Sequence, residues 1–375
     1  MKVAIVHDWL NQNGGAERVL EALHGLYPQA PIFTSMYAPD RLPAEYRSWD
    51  IQTSFMQRLP LVKAHHQPFL PLYPLAFEGF DLSGFDLVIS NSSGFCHGVR
   101  TPPGTLHINY CLTPPRYLWD NATYLRQERV PGVARMLLPG IISRLRAWDA
   151  RASQRVDHFI AISRAVRDRI QRCYGRDSEI IYPPVETSSF APSERVGDFY
   201  LVASRLLPYK RIDLAVQACS QLGLPLVVAG DGRDRRALEA LAGPTVRFEG
   251  WVSQERLREL YATCKAFLFP GEEDFGIAPL EAQASGRPVI AYAAGGALDT
   301  VVDGVTGLFF HEPRPESLSE TLQRFDQLSF DTAAIREHAQ LFDTEVFKAR
   351  FTSFVAARLQ EHPAATDALH AETTR

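Results

Sequence analysis

Through the second half of the chain, short runs rich in Val, Ile, Leu and Phe alternate with stretches of helical spacing, and this alternation narrows the fold more than any other feature. The runs predicted as strands are residues 199–203, 225–229, 245–249, 266–269, 288–292 and 307–310. Between the first two, Ile212, Ala215, Val216, Cys219 and Leu222 share one face at helical spacing, and Ser253 is placed to cap a second helix reaching Thr263. A strand with one solvated face alternates apolar and polar residues. These runs are nearly continuous in apolar character, as strands covered by helices on both sides must be. The pattern predicts an α/β, doubly wound parallel sheet.

The first half repeats the theme less regularly, with strands predicted at residues 2–7, 31–35, 85–90, 105–110, 158–161 and 179–182 and helices after Gly15 and Ser163. A chain of 375 residues exceeds what one compact core usually holds. Two Rossmann-like halves are therefore expected, joined between Tyr182-Pro183-Pro184 and Gly197. The division predicted is residues 1–190, residues 191–355 and a tail at 356–375. In such a pair the ligand site is expected in the cleft where the carboxyl ends of both sets of strands face each other.

A formal net charge of -4 leaves no general basic footprint, so no nucleic-acid partner is expected. Cys96, Cys111, Cys173, Cys219 and Cys264 are widely spaced, with no C-x-x-C, which argues against a disulfide framework or a zinc site. The first residues run straight into a strand-like stretch without a signal-peptide pattern, and no apolar run approaches the ~20 residues of a membrane span. The reading is a cytoplasmic protein whose membrane contact, if any, is peripheral.

Two segments fit neither sheet. Residues 126–155 carry Arg126, Arg129, Arg135, Arg144, Arg146, Arg151 and Arg155 around an apolar centre at 136–142. Residues 55–80 add Lys63, His65 and His66 among Leu, Phe, Tyr and the prolines Pro60, Pro68, Pro71 and Pro74. Both read either as a surface helix and a packed loop or as segments that meet a lipid-linked acceptor or an anionic membrane surface.

The chemistry-bearing residues cluster after two strands of the second half. Ser204-Arg205-Leu206-Leu207-Pro208-Tyr209-Lys210-Arg211 places cations immediately before a helix, where backbone N–H groups and fixed charge suit a phosphate. A solvated loop is the alternative for that segment alone. Further on, Gly271-Glu272-Glu273-Asp274-Phe275-Gly276-Ile277-Ala278-Pro279-Leu280-Glu281 sets Glu273 and Glu281 eight residues apart around Gly276, with a helix expected to open at Pro279. Such carboxylates can accept hydrogen bonds from sugar hydroxyls. A solvated acidic loop is the alternative here.

Arg205 with Lys210, the E-x7-E pair Glu273 and Glu281 around Phe275-Gly276, and Gly14-Gly15-Ala16-Glu17 together resemble the retaining nucleotide-sugar glycosyltransferases of family 4, of GT-B fold. Thr113-Pro114-Pro115-Arg116-Tyr117-Leu118-Trp119-Asp120 is similar to members that add mannose in O-antigen and exopolysaccharide assembly. The resemblance implies a hexosyltransferase working on a nucleotide diphosphate sugar, GDP-mannose by that segment, with a glycan or lipid-linked hydroxyl as acceptor. It implies that Arg205 and Lys210 bind the diphosphate, Glu281 the ribose, and Glu273 the donor sugar beside the Phe275-Gly276-Ile277 backbone. Gly14 and Gly15 would meet the phosphate, with Glu17 in the first helical turn. Catalysis would rest on Glu273, Arg205 and Lys210. One departure is Leu112, where mannose-adding relatives commonly have a His; His97 and His107 lie near in sequence and are read as structural.

Other classes compete. A nucleotide-sugar epimerase can share the architecture. Gly230-Asp231-Gly232-Arg233-Asp234-Arg235 has two glycines of a dinucleotide fingerprint but Arg235 at the third, and a glycosidase using Glu273 and Glu281 leaves Arg205 and Lys210 unexplained. A sugar-binding protein without turnover is the last rival. No D-x-D occurs, so neither metal nor other cofactor is expected.

Overall fold

The computed structural model describes residues 1–64, 66–120 and 132–362. The chain divides into two compact units, one of Met1–Tyr182 together with the chain from Phe347, the other of Pro183–Val346. Among the described residues the first unit holds a parallel sheet of seven strands: β1 (Val3–His7), β2 (Ile32–Thr34), β3 (Ile51–Thr53), β4 (Leu87–Ser92), β5 (Leu106–Cys111), β6 (His158–Ala161) and β7 (Ser178–Ile180). Their order is β3-β2-β1-β4-β5-β6-β7. The second unit holds six: β8 (Tyr200–Ala203), β9 (Leu226–Ala229), β10 (Val246–Gly250), β11 (Ala266–Phe269), β12 (Val289–Tyr292) and β13 (Gly307–Phe310), in the order β10-β9-β8-β11-β12-β13. Every pairing is parallel. Both domains are Rossmann-like, as the alternation predicts.

Strand order reverses between β1 and β4 in one sheet and between β8 and β11 in the other. At these switch points adjacent crossovers run to opposite faces, which opens a crevice at the carboxyl ends of the strands. The second sheet shows why its strands read as continuous apolar runs. Val202, Val228, Leu268, Ile290 and Leu308 join one core cluster, while Leu201, Val227, Phe267 and Val289 join another on the opposite face. The helix Ile212–Leu222 covers the first of these with Ile212, Ala215, Val216 and Cys219, and ends where Gly223 takes φ 65°. Ser253 caps the helix Gln254–Thr263, its side chain accepting from the Arg256 N–H at 3.2 Å.

Two expectations need correction. β3 escaped the sequence reading because it is a three-residue edge strand with exposed Gln52 at its centre, so it lacks an apolar run. The predicted division also differs from the observed units, which part at Tyr182/Pro183 rather than after residue 190, and again at its end. In the helix Thr344–Glu361, Phe347 and Phe351 pack on Tyr110 of β5 with ring centroids 5.6 and 6.3 Å apart, so the chain returns to the first unit. Residues 363–375 of the predicted tail lie outside the described residues.

The centre of the first sheet carries a buried polar ladder. The Asn109 amide donates to Ser90 Oγ at 2.8 Å and to Ser92 Oγ at 2.9 Å, and His107 Nε2 lies 2.8 Å from Ser90 Oγ. Burial, reinforced by nearby His97 and Arg155, carries the His107 pKa from its ordinary 6.5 down to about 3. Between those values the folded chain binds fewer protons at this residue than the unfolded chain does. Stability is therefore lost as pH falls from 6.5 toward 3, and is unaffected by this group above that window. Urea midpoints of the wild type should fall more steeply across it than those of His107→Gln, and parallel curves would exonerate His107.

Candidate functional site

The second unit builds its site from loops leaving the carboxyl ends of β8, β9, β11 and β12. These loops touch backbone to backbone, and glycine permits the approach. A Cβ on Gly230, whose φ is +122°, would lie 2.0 Å from Ser204 O, and one on Gly232 would lie 2.3 Å from Leu206 O. On Gly271 it would meet Lys210 O at 2.7 Å. The glycines that failed the dinucleotide fingerprint thus serve to pack the β9 loop under the β8 loop.

Lys210, at the end of the short 3-10 turn Pro208–Lys210, extends its ammonium to Glu273, with Nζ 2.5 Å from Oε2 and both side chains largely covered. These two residues stand 63 positions apart in sequence, and the adjacency of β8 and β11 brings them together. Arg205 is exposed on the same β8 loop. Arg211 turns away: it ion-pairs with Asp213 at 3.1 Å and opens the next helix in the left-handed region, at φ 51°. Its charge therefore belongs to that helix start rather than to the Lys210 group.

Past Glu273 the chain turns through Gly276, at φ +97°, into the helix Ile277–Ala284. The helix opens two residues before the predicted Pro279, because Gly276 already supplies the turn. Phe275 is buried and packs on Phe342 at 5.9 Å, so only its backbone borders the loop surface. Glu281 is 4% exposed, and Tyr261 donates its hydroxyl to Oε2 at 2.9 Å. The structure thus brings Lys210, Glu273, Phe275, Gly276, Ile277 and Glu281 onto neighbouring loops and one helix. Among the described residues no group of three or more His, Cys, Asp and Glu is placed to hold a metal ion.

In the first unit, Gly14 precedes the helix Gly15–Leu26 in extended conformation. Glu17 in its first turn is buried, with Oε1 3.5 Å from His7 Nε2, and so faces the interior. Asn91 closes this group, donating to Ala16 O at 2.9 Å. Asp8, which directly follows β1, was missed by the sequence reading. Its carboxylate accepts from the backbone N–H groups of Ser93, Phe95 and Cys96 at 2.6, 2.7 and 2.8 Å, fixing the loop after β4 at the switch point. An acidic residue at the end of a buried first strand was the available signal.

The Thr113 to Asp120 segment forms the short helix Arg116–Trp119. Arg146 donates to Leu118 O at 2.8 Å through Nε, and the Trp119 indole donates to Asp149 at 2.7 Å. Arg155 reaches Gly98 O at 2.7 Å and Glu78 at 3.0 Å. Arg146 and Arg155 therefore follow the structural of the two readings, as clamps, while Arg144 and Arg151 are exposed. Arg126, Arg129, His65 and the side chain of Arg135 lie outside the described residues. His97 is buried against Asp149 at 3.2 Å, so it, like His107, has a structural place.

Residues 13–189 match the family model for Glycosyltransferase Family 4, and residues 189–340 match that for Glycosyl transferases group 1. The chain is 33% identical over 219 residues to a GDP-mannose-dependent alpha-mannosyltransferase of Mycolicibacterium smegmatis, a match covering 52% of this chain and 56% of the relative. It is 29% identical over 198 residues to a D-inositol 3-phosphate glycosyltransferase of Frankia alni, covering 44% and 47% respectively. The chain thus spans about half the length of the curated relatives it matches. Anabaena Alr3699/HepE, solved in complex with UDP-glucose, superposes with a TM-score of 0.69 at 16% identity, over 95% of this chain and 100% of that one.

Proposed function

Starting from a GT-B chain whose two halves belong to the family 4 and group 1 glycosyl transferases, we propose that it moves a hexose from a nucleotide diphosphate sugar to a hydroxyl acceptor, with retention at the anomeric carbon. The observation that carries this reading is the Lys210–Glu273 pair at 2.5 Å, standing on the two switch-point loops beside the helix of Glu281. It sets a phosphate-seeking cation next to a hydroxyl-accepting carboxylate, as a sugar diphosphate requires. In the proposed step the bond from the anomeric carbon to the diphosphate oxygen breaks while the acceptor oxygen bonds from the same face. The acceptor proton passes to the departing phosphate. Lys210 and Arg205 stabilise the charge that develops there, Glu273 orients the sugar, and Glu281 holds the ribose.

Mannose from GDP-mannose is the proposed donor, supported by the Thr113 to Asp120 segment and by the mannosyltransferase among the relatives. The acceptor proposed is a glycan or a lipid-linked sugar of polysaccharide assembly. An epimerase is not favoured. The test is a product assay with GDP-mannose, UDP-glucose and other nucleotide sugars, with and without a hydroxyl acceptor. Acceptor-dependent release of nucleoside diphosphate supports transfer, and an altered sugar formed from donor alone overturns it.

Fixed cations and a helix start are proposed to do the work of a metal at the diphosphate. Turnover should then persist in EDTA. Activity that vanishes there and returns with magnesium or manganese would make Glu272 and Asp274 candidate ligands instead.

Peripheral membrane contact, at the inner face of the membrane, is proposed through residues 55–75. Phe55, Leu61 and Leu75 are 49, 73 and 63% exposed, and Arg58 and Lys63 accompany them without an acidic residue in the stretch. Leu61→Glu with Leu75→Glu should abolish cosedimentation with phosphatidylglycerol vesicles, and unchanged partitioning would remove the proposal. Among the described residues no helix is long and apolar enough to cross a membrane.

A further inference from the structure

The least exposed polar contact of the site is the one between Tyr261 and Glu281. Tyr261 is 1% exposed, and its hydroxyl donates to Glu281 Oε2 at 2.9 Å. Its ring is met edge-on by Phe190, with centroids 5.9 Å apart and planes at 78°, and at a tilt of 52° by Phe267 of β11, 5.6 Å away. A phenol so confined has one direction in which to donate.

The helix that carries Glu281 is pinned at its far end as well. The Gln283 amide donates to Thr300 O at 2.7 Å, and His338 Nδ1 lies 2.8 Å from Gln283 Oε1. The helix Gln254–Thr263, which carries Tyr261, starts just past Gly250, whose carbonyl accepts from Gly230 N–H at 2.7 Å. One end of that helix therefore stands beside the site loops, and the other delivers the phenol to Glu281.

We propose that Tyr261 is a positioning residue for the donor nucleoside: by holding Oε2, it sets the plane in which the Glu281 carboxylate accepts the ribose hydroxyls. A carboxylate offers about four lone-pair directions, and fixing one of them orients the others. The phenol hydrogen bond thus helps to arrest the buried carboxylate before a nucleotide binds, which spares affinity. The inference rests on the assignment of Glu281 to the ribose, and the experiment keeps the two apart.

Calorimetry of the full chain would use GDP, its 2′,3′-dideoxy analogue and inorganic pyrophosphate, with UDP and its dideoxy analogue in place of the guanine pair where GDP does not bind. Tyr261→Phe should weaken the ribonucleotide about tenfold, the size expected for one hydrogen bond to a charged group. It should leave pyrophosphate unchanged and carry no penalty toward the dideoxy analogue. In turnover it should raise the donor KM with little change in kcat. If Glu281→Gln leaves ribonucleotide affinity intact, the ribose assignment itself fails. If Glu281→Gln lowers it while Tyr261→Phe does not, or if the Tyr261→Phe penalty persists with the dideoxy analogue or extends equally to pyrophosphate, the positioning role is overturned.

Discussion

Lys210→Ala is expected to lower turnover by about 10²–10³-fold, the usual consequence of removing one preorganised donor from a developing negative charge. Two effects act in the same direction. The ammonium proposed to face the diphosphate is lost, and Glu273, which sits 2.5 Å from it with its own side chain largely covered, is left without that ammonium. Glu272, Glu273 and Asp274 then present an acidic loop to an anionic donor. Arg205→Ala, which removes a more exposed cation, should cost less. Calorimetry should show GDP weakened far more than guanosine in both variants, and equal losses for nucleotide and nucleoside would overturn the phosphate assignment. Lys210→Ala with Glu273→Ala should recover part of the GDP affinity without recovering turnover, since the repulsion is relieved while the sugar contact is gone. Additive losses in that double variant would show that the pair is not coupled.

Gly296→Ala should cost about 3 kcal/mol of stability, at the upper end for overpacking a close contact, and should abolish donor binding. Its Cβ would lie 2.2 Å from Phe275 Cα and 2.3 Å from Phe275 O, both backbone atoms of the Glu273 to Gly276 turn. The Gly296 N–H also donates to Glu273 O at 2.8 Å, so any shift that admits a methyl group moves the carboxylate loop. Gly304 gives the control. Its φ is +74° with nothing within 4 Å of an added Cβ, so Gly304→Ala carries only a backbone penalty of about 1 kcal/mol and leaves the site alone. Urea midpoints and GDP binding distinguish the two. Similar shifts in both variants, or retained binding by Gly296→Ala, would show that the β12 loop does not support the β11 loop.

Five strands of the second unit were legible because each is buried on both faces and so writes a continuous apolar run into the sequence, while the edge strand β10 shows only the alternation of Val246 and Phe248 with Arg247 and Glu249. The E-x7-E spacing was legible for a related reason: Glu273 and Glu281 flank one turn and one helix start, so local rules place them. Asp8 and Tyr261 were not. Asp8 bonds to backbone 85 to 88 residues away; its place at the end of a buried first strand marks it out, but no local pattern names the distant amides it meets. Tyr261 reaches Glu281 from a different helix, 20 residues earlier, and in the sequence it is one more apolar-face residue.

Charge was where the sequence misled. Arg211 stands beside Lys210 in a run of cations, yet the left-handed turn at its own backbone sends it to Asp213. Arg146 and Arg155 sit in an arginine-rich stretch, yet each is spent on a backbone carbonyl. The kinds of element and the stock of cations and carboxylates at the strand ends were set by the sequence itself, since periodicity and side-chain chemistry are properties of neighbouring residues. Which cation meets which carboxylate was decided only by tertiary structure: strand order makes β8 and β11 adjacent, and that adjacency, absent from any local pattern, closes Lys210 onto Glu273.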